Sequence, residues 1–302
     1  MEEKMDGLNA RAQAALKAQN YLQASQLYAE LYAKKPSFRH NYQLMESLYL
    51  AQEYAQAFEI SQERLQDYLA DNEFLPRFLK VAVAAQRNLW LDILFASLKP
   101  YLTATEESMW QKTVARSRGE FSASYQSQHT TVMKQLQYLG AEDIFEQRAS
   151  LQAAQKLTGS EFIEATKGAL SDCNVATLIR IEILRSLVEL QSKQSVKFLT
   201  VTGGESELLP AELPMLEGIS DYQALAQQIQ SRLSQKGQNY LWQILNLKLL
   251  LLWPEIVQQK ITWLDQAEKA LAILLPEEEK IQMESDLKLA LLLEKTLTEW
   301  EK

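Results

Sequence analysis

The chain has 302 residues, with 31 basic and 39 acidic side chains and a formal net charge of −8. It contains only 9 Gly and 7 Pro, which argues against an all-β sandwich or barrel because many tight turns need these residues. Hydrophobic residues make up 47% of the chain, enough apolar surface to offset the entropy of ordering, so disorder is excluded. The length fits roughly two domains or one extended repeat array.

Composition also limits compartment and partner. The single Cys173 excludes an internal disulfide and fits a reducing compartment. Residues 1–7 carry three acids and no apolar core, so no signal peptide is expected, and the apolar run 247–253 is too short to span a bilayer. An acidic chain without a basic stripe is a poor match for nucleic acid. We therefore expect a soluble, cytoplasmic protein that binds neither nucleic acid nor membrane.

A repeat of about 33 residues opens the chain. Residues 18–24 and 51–57 are identical at five of seven positions, and a weaker copy begins at Ala85-Gln86, about 35 residues further on. Two helices joined by a short turn occupy such a period. The spacing predicts three successive helix pairs between residues 8 and 102.

These residues resemble the tetratricopeptide (TPR) repeat family. The first copy carries residues typical of the consensus at Ala12, Leu16, Tyr21, Ala24, Tyr28 and Pro36. It departs from the consensus at Arg11 and Ala15, and the second copy departs at Met45 and Leu69. The resemblance implies small alanines where paired helices approach closely, Tyr21 in the turn between them, Tyr28 filling the groove between helices, and Pro36 ending the second helix. It covers residues 8–70 well and extends less closely to 102.

The TPR resemblance implies an all-α, right-handed α-α superhelix whose concave groove is lined by the first helix of each pair. Carried onto this chain, the groove positions are Asp6, Asn9, Gln13, Leu16, Lys17, Arg39, Tyr42, Glu46, Tyr49, Leu50, Phe74, Arg77 and Val81. Aromatic, arginine and amide side chains are common in binding surfaces. We take Asn9, Gln13, Lys17, Arg39, Tyr42, Glu46, Tyr49 and Arg77 as the candidate binding residues.

One alternative stays open for this surface, and one kind of site is not expected on it. Leu16 and Tyr49 fit inter-helix core as well as they fit a groove. Asn9 and Gln13 stand where some family members hold Lys and Asn to clamp a terminal carboxylate, so such a clamp is not expected.

After residue 102 the chain stays helical in pattern but loses the strict period. Glycines at 119, 140 and 159 predict breaks between helices at 105–117, 120–139, 141–157, 160–170 and 174–192. A β-branched run from Val196, then Gly203-Gly204 and a second short run, predicts a β-hairpin near 196–209. Helices are expected again at about 221–235, 238–252, 255–274 and 277–300, with Pro254 and Pro276 near first-turn positions.

The order and spacing of these elements resemble the carboxyl half of uncharacterised TPR-containing proteins of low-GC Gram-positive bacteria, which implies a helical-repeat fold without assigned chemistry. We therefore expect TPR-like repeats over 1–102, continuous with a further helical-repeat region over 103–302. The last helix is apolar on more than one face. Internal packing and a homodimer interface are both open for it, so monomer and homodimer are both compatible with the sequence.

The sequence gives no catalytic constellation. The two histidines, His40 and His129, lie in unrelated contexts, and Cys173 is expected to be buried or adjacent to a helix cap. The acidic pairs 106–107, 142–143 and 277–279 stand at predicted helix starts, where the helix dipole stabilises acids. We expect no enzyme, metal or cofactor. The sequence predicts a scaffold that binds a protein or peptide, and the alternative is a regulatory sensor of a small peptide or metabolite.

Overall fold

The computed structural model describes residues 2–219, 222–223 and 235–258. Over this range the chain is mostly helical with one small two-stranded antiparallel sheet. It forms two compact units: residues up to Thr130 together with Gln155–Thr158, and Thr131–Ala154 together with the described residues from Gly159 onward. None of the described helices is both long and apolar enough to cross a bilayer.

The first unit begins with seven helices joined by short connections. They are α1 (Glu2–Lys17), α2 (Tyr21–Lys34), α3 (Phe38–Leu50), α4 (Tyr54–Gln62), α5 (Leu65–Ala70), α6 (Leu75–Ala84) and α7 (Asn88–Leu98). The pairs α1–α2, α3–α4 and α6–α7 each pack together, and α2 also packs against α3. The three helix pairs predicted from the repeat are confirmed.

One backbone turn recurs at the end of the first helix in each pair. Gln19, Gln52 and Gln86 occupy equivalent positions and have φ of 58°, 63° and 55°, in the left-handed region. The amide after each glutamine bonds a carbonyl five residues back, as in Asn20 N to Ala15 O at 2.9 Å. This is the Schellman ending, in which two orphan carbonyls of the last turn gain donors. The sequence repeat thus corresponds to a repeat in backbone geometry.

The core of the first unit uses several of the positions on which the resemblance depends. Ala12 and Ala24 are fully buried, and Tyr28 is almost so. Helix α2 ends at Lys34, two residues before Pro36. Tyr21 is the first residue of α2 instead of a turn residue, because Asn20 caps that helix by accepting from the amide of Gln23 at 3.2 Å.

The predicted break at Gly119 is wrong. Helix α8 runs from Ala104 to Gln137 without interruption, and Thr103 and Glu106 cap its start reciprocally, at 2.8 Å and 3.3 Å. A glycine inside a helix costs about 1 kcal/mol relative to alanine. Tertiary contacts on both sides of Gly119 outweigh this cost, because Trp110 is buried before it and the Tyr125 hydroxyl donates to the Ala84 carbonyl after it, at 2.8 Å.

In the second unit three helices are shorter than predicted, a fourth extends beyond its predicted bounds of 238–252, and the expected hairpin is present. Its helices include α9 (Ile144–Ala153), α10 (Gly159–Thr166), α11 (Thr177–Glu189) and α12 (Gln235–Val257). Strands β1 (Val196–Leu199) and β2 (Glu205–Leu208) pair antiparallel, with Val196 opposite Leu208. Gly203 has φ of 85°, as the turn requires. The predicted hairpin is confirmed.

Pro254 does not begin a helix as expected; it lies inside α12. Proline removes one backbone hydrogen bond there. Helix α12 continues because the residues on both sides are held in the core: Trp253 and Ile256 are buried, and the Trp253 indole donates to the Pro214 carbonyl at 2.9 Å. The predicted helices beyond 258 and the apolar last helix lie outside the described residues, as does most of 221–235.

Candidate binding surface

Four of the predicted binding residues meet on two helices of the first unit. Tyr42, Glu46 and Tyr49 stand on one side of α3, and Arg77 reaches them from α6. The Arg77 guanidinium donates through Nε and Nη2 to the two carboxylate oxygens of Glu46, and its central carbon lies 4.3 Å from the centre of the Tyr49 ring. One arginine therefore makes a bidentate ion pair and a cation–π contact at once.

Aromatic rings continue this arrangement toward the start of α3. Phe74 lies edge-on to Tyr42, with ring centres 4.7 Å apart, and to Phe38 at 5.0 Å. Phe38 in turn contacts the fully buried Tyr68 at 4.9 Å. Edge-to-face pairs of this kind contribute about 0.5–1.5 kcal/mol beyond area burial. This end of the surface is thus fixed to the core.

A second set of rings lies beside Tyr49. Tyr54 at the start of α4 stands 5.4 Å from the Tyr49 ring and 5.7 Å from Phe121, which stacks on Tyr125 at 5.6 Å. Lys80 on α6 pairs with Glu120 at 2.6 Å. We call six residues the α3–α6 face. Five lie on α3 and α6 and the sixth, Phe74, is the cap residue of α6: Tyr42, Glu46, Tyr49, Phe74, Arg77 and Lys80.

The electrostatics of the α3–α6 face follow from partial burial. The side chains of Arg77 and Glu46 are 25% and 22% exposed, so their ion pair is only partly screened by water. The hydrogen bond to Glu46 raises the pKa of Arg77, and burial raises the pKa of both Tyr42 and Tyr49. At neutral pH the face therefore presents neutral phenols beside paired charges.

Among the described residues, no hydrogen bond, ion pair or ring contact joins the other predicted residues to the α3–α6 face. Asn9, Gln13 and Lys17 lie on α1, where Gln13 and Lys17 are exposed and the Asn9 Oδ1 is covered without a hydrogen-bond partner. Arg39 is exposed and lies close enough to Tyr28 to oppose the rise in that phenol's pKa. Val81, which the resemblance places in the groove, is fully buried and belongs to the core.

Sequence reasoning missed part of this cluster. Phe121 and Tyr125 are four residues apart on α8 and so share one helix face, a spacing visible in the sequence. The predicted break at Gly119 separated them from the elements before it. Lys80 and Glu120 gave no comparable signal, because a pair 40 residues apart is created only by the packing of α6 against α8.

The residues considered for chemistry are placed elsewhere. The His40 ring is held at 2.9 Å from the Lys35 carbonyl oxygen. Cys173 is exposed in the turn before α11, three residues ahead of the cap residue Ala176, so the buried one of its two expected settings is wrong. In the described part of the chain, no three His, Cys, Asp or Glu side chains cluster as metal ligands.

Comparison with known proteins does not indicate a function for this chain. No family model, curated protein or solved structure matches the chain. The geometry described above, in which residues 31 positions apart on α3 and α6 form one surface, is therefore the basis for the proposal that follows.

Proposed function

We propose that this chain is a non-catalytic scaffold that binds a protein or peptide partner through the α3–α6 face. In this proposal the helix pairs of residues 1–102 form a TPR-like right-handed superhelix that continues into the rest of the chain, and the α3–α6 face lines its concave groove. The observation that carries the proposal is the joint arrangement of Tyr42, Tyr49 and Arg77, contributed by the first helices of two successive pairs.

The composition of the α3–α6 face supports binding. Tyrosine and arginine are the residues most often found at energetic centres of interfaces, because each offers a large contact area together with a polar tip. Tyr42 and Tyr49 are half-buried, so each ring keeps an exposed part while neighbouring rings fix its orientation. Fixing side chains before a partner arrives reduces the entropy cost of association.

The ion pairs on the face support a role in orientation more than in affinity. Both Arg77 and Lys80 already have an acid of the same unit as partner. A partner would therefore gain little net charge attraction and would be selected by the shape and polarity of the surface. A peptide that places apolar side chains against the tyrosine rings and polar groups beside the Glu46–Arg77 pair fits these properties.

The experiment compares capture by wild type, by Tyr42→Ala/Arg77→Ala, and by Leu22→Ala. Leu22 is a matched control because it is a large side chain, 55% exposed, on α2. Immobilised protein captures partners from the native cell, and overlapping peptides from each captured protein are then titrated by fluorescence anisotropy. We expect the double variant to raise the Kd about tenfold or more, and the control to leave it unchanged.

Circular dichroism and thermal unfolding establish that the double variant is folded, and Tyr42→Ala alone serves as the second variant. Equal capture and equal Kd for the wild type and both of these variants would overturn the assignment of the α3–α6 face.

A further inference from the structure

A pocket of about 390 Å³ lies in the second unit. It is bordered by the start of α9, the turn at residues 173–176 and the first turn of α11, and its lining includes Glu142, Gln147, Cys173, Thr177 and Arg180. Its volume falls in the range of small-molecule sites. Because its lining includes the ionisable residues Glu142, Cys173 and Arg180, the question is which charge of ligand it favours.

Arg180 is the distinctive residue of this pocket. It is only 4% exposed, yet all its recorded hydrogen bonds go to neutral oxygens: Nη1 donates to the carbonyls of Asp172, at 3.0 Å, and Val175, and Nη2 donates to the Thr177 hydroxyl at 2.9 Å. None of the ion pairs in the described part of the chain includes it. Burying a cation without a counter-ion is costly, and burial lowers the pKa of Arg180.

One edge of the Arg180 guanidinium keeps unused donors. The Nε–H is shielded from solvent and has no hydrogen-bond partner, and Nη2 uses only one of its two hydrogens. In a guanidinium the Nε–H and one Nη2 hydrogen lie parallel on one edge, which is the arrangement that binds two oxygens of a carboxylate or phosphate. The unpaired Nε–H, on a side chain that is 4% exposed, is an observation independent of the helix start that points to a ligand carrying acceptor oxygens.

The first turn of α11 adds positive potential to the same pocket. Ala176 stands at the cap position without a side-chain oxygen to offer, and the first turn contains no acid. The Ala176 amide is taken by the Gln147 side chain at 2.9 Å, but no side chain caps the amides that follow. Uncapped amides at a helix start attract anions through hydrogen bonding and the helix dipole.

The two acids near the pocket are held by other donors. Glu142 accepts from the Ser150 hydroxyl at 2.8 Å, and Asp172 accepts from the Asn174 amide at 2.8 Å. The Asp172 carboxylate has no hydrogen bond to Arg180 and acts on it through the longer-range field that opposes the fall in its pKa, whereas the Asp172 carbonyl accepts directly from Nη1. Neither acid occupies the position of a direct counter-ion.

We infer that this pocket binds a small metabolite through an oxyanion group, a carboxylate or a phosphate, held by Arg180 and the first turn of α11. The inference goes beyond the peptide-binding role of the α3–α6 face, and it supplies the kind of site that a metabolite sensor needs. The group enters with two oxygens against the free edge of Arg180 and takes further hydrogen bonds from the α11 amides. Cys173 lies beside it without taking part in binding.

The test uses Cys173 as a reporter, since it is the only cysteine of the chain, is exposed and lines the pocket. The rate of its alkylation by the neutral reagent iodoacetamide is measured with increasing inorganic phosphate or succinate, and with sodium chloride at matched ionic strength. We expect at least one oxyanion to slow alkylation saturably, about tenfold when its concentration is ten times Kd, while chloride has no effect.

Variants of the same helix separate binding from general effects. Arg180→Lys keeps the charge but loses the forked donor edge, so we expect protection to be lost. Arg185→Gln is the control, because Arg185 lies on the same helix and pairs with Glu217 at 3.1 Å outside the pocket; it should keep full protection.

The wild-type measurement alone keeps the inference falsifiable if Arg180→Lys fails to fold. Protection by phosphate alone identifies a phosphate ligand, and protection by succinate alone identifies a carboxylate. No protection by either, up to about 50 mM (a Kd that weak is no specific site), or equal slowing by chloride overturns the inference. The reporter does not involve the α3–α6 face, so this outcome and a failure of the proposed function are distinguishable.

Discussion

Arg77 in the first unit and Arg180 in the second are both withdrawn from solvent, but they differ in what meets the charge. Arg77 has both oxygens of Glu46 and the Tyr49 ring as partners, whereas Arg180 has two carbonyls and a hydroxyl. An ion pair completed within the chain fixes the geometry of a surface. A buried cation without an acidic partner carries an electrostatic cost, and an anionic ligand can lower that cost by pairing with it.

The buried polar groups of the first unit, like Arg77, find their partners within the chain. Asn41 and Tyr68 are fully buried in the first unit, and they satisfy each other: the Tyr68 hydroxyl donates to the Asn41 Oδ1 at 2.7 Å, while the Asn41 amide donates to the Ile60 carbonyl at 2.7 Å. No charge is involved and the bonds link α3, α4 and α5. Substitutions in each unit test this difference between the two regions.

The largest effect is expected for Asn41→Ala. It leaves the Tyr68 hydroxyl and the Ile60 carbonyl without partners and opens a small cavity, which should lower the free energy of unfolding by about 3 kcal/mol. Urea denaturation followed by circular dichroism measures this loss, and added phosphate should not restore it. Asn20→Ala, which removes only the exposed cap of α2, is the control and should cost about 1 kcal/mol. A loss below that of the control would show that the Asn41 network is not closed as described.

Two glycine-to-alanine substitutions, one in each unit, should change the free energy of unfolding in opposite directions. A Cβ on Gly140 would lie 2.0 Å from Asp172 Oδ2, so Gly140→Ala must displace this carboxylate, which accepts from the Asn174 amide in the turn beside the pocket. We expect a loss of about 1–3 kcal/mol, together with weaker protection of Cys173. A Cβ on Gly119 meets nothing within 4 Å, so Gly119→Ala should stabilise α8 by about 1 kcal/mol. Thermal unfolding of both variants measures these changes. If both variants were stabilised, the close packing described around Gly140 would be wrong.

A pH effect is expected from Tyr68. Burial raises the pKa of its phenol above the value near 10 of an unfolded chain, so above pH 10 the unfolded state releases a proton that the folded state keeps. Its contribution to stability is complete below pH 10 and falls by about 1.4 kcal/mol per pH unit above it. Urea unfolding between about pH 9 and 11.5 should show a steeper decline for wild type than for Tyr68→Phe. Parallel curves would mean that Tyr68 ionises equally in both states.

The smallest effect concerns the Glu46–Arg77 pair. A double-mutant cycle with Glu46→Ala and Arg77→Ala should give a coupling free energy of about 1 kcal/mol, since both side chains keep roughly a quarter of their exposure. High salt should reduce the coupling. A coupling near zero at low salt would remove the rigid pair from the proposed binding surface.

The fold could be predicted from the sequence wherever a local pattern sets the structure. The repeated Ala-Gln turns located three helix pairs, and Gly203-Gly204 between two apolar runs located the hairpin. The expected breaks at Gly119 and Pro254 failed for a common reason: each residue weakens a helix locally, but buried neighbours on both sides hold it in place. Local propensity is outweighed there by packing that no single segment reveals.

The site was partly predictable for the same reason. Tyr42, Glu46, Tyr49 and Arg77 were predicted from the TPR resemblance, which assigns groove positions to the first helix of each pair. The pocket did not, since the burial of Arg180 depends on how the turn at residues 172–176 supplies carbonyls to its guanidinium. A charged residue between Ile179 and Ile181, inside the apolar stripe of α11, was the only sequence signal for it.

The left-handed glutamines at 19, 52 and 86 have a consequence for the denatured chain. Such a conformation costs a residue with a side chain about 1–2 kcal/mol relative to the right-handed one, a strain that glycine avoids. A glutamine, however, samples fewer backbone states than a glycine before folding, so less freedom is lost when each turn closes. In each helix pair, backbone strain in the folded turn is therefore partly offset by the lower conformational entropy of the denatured chain.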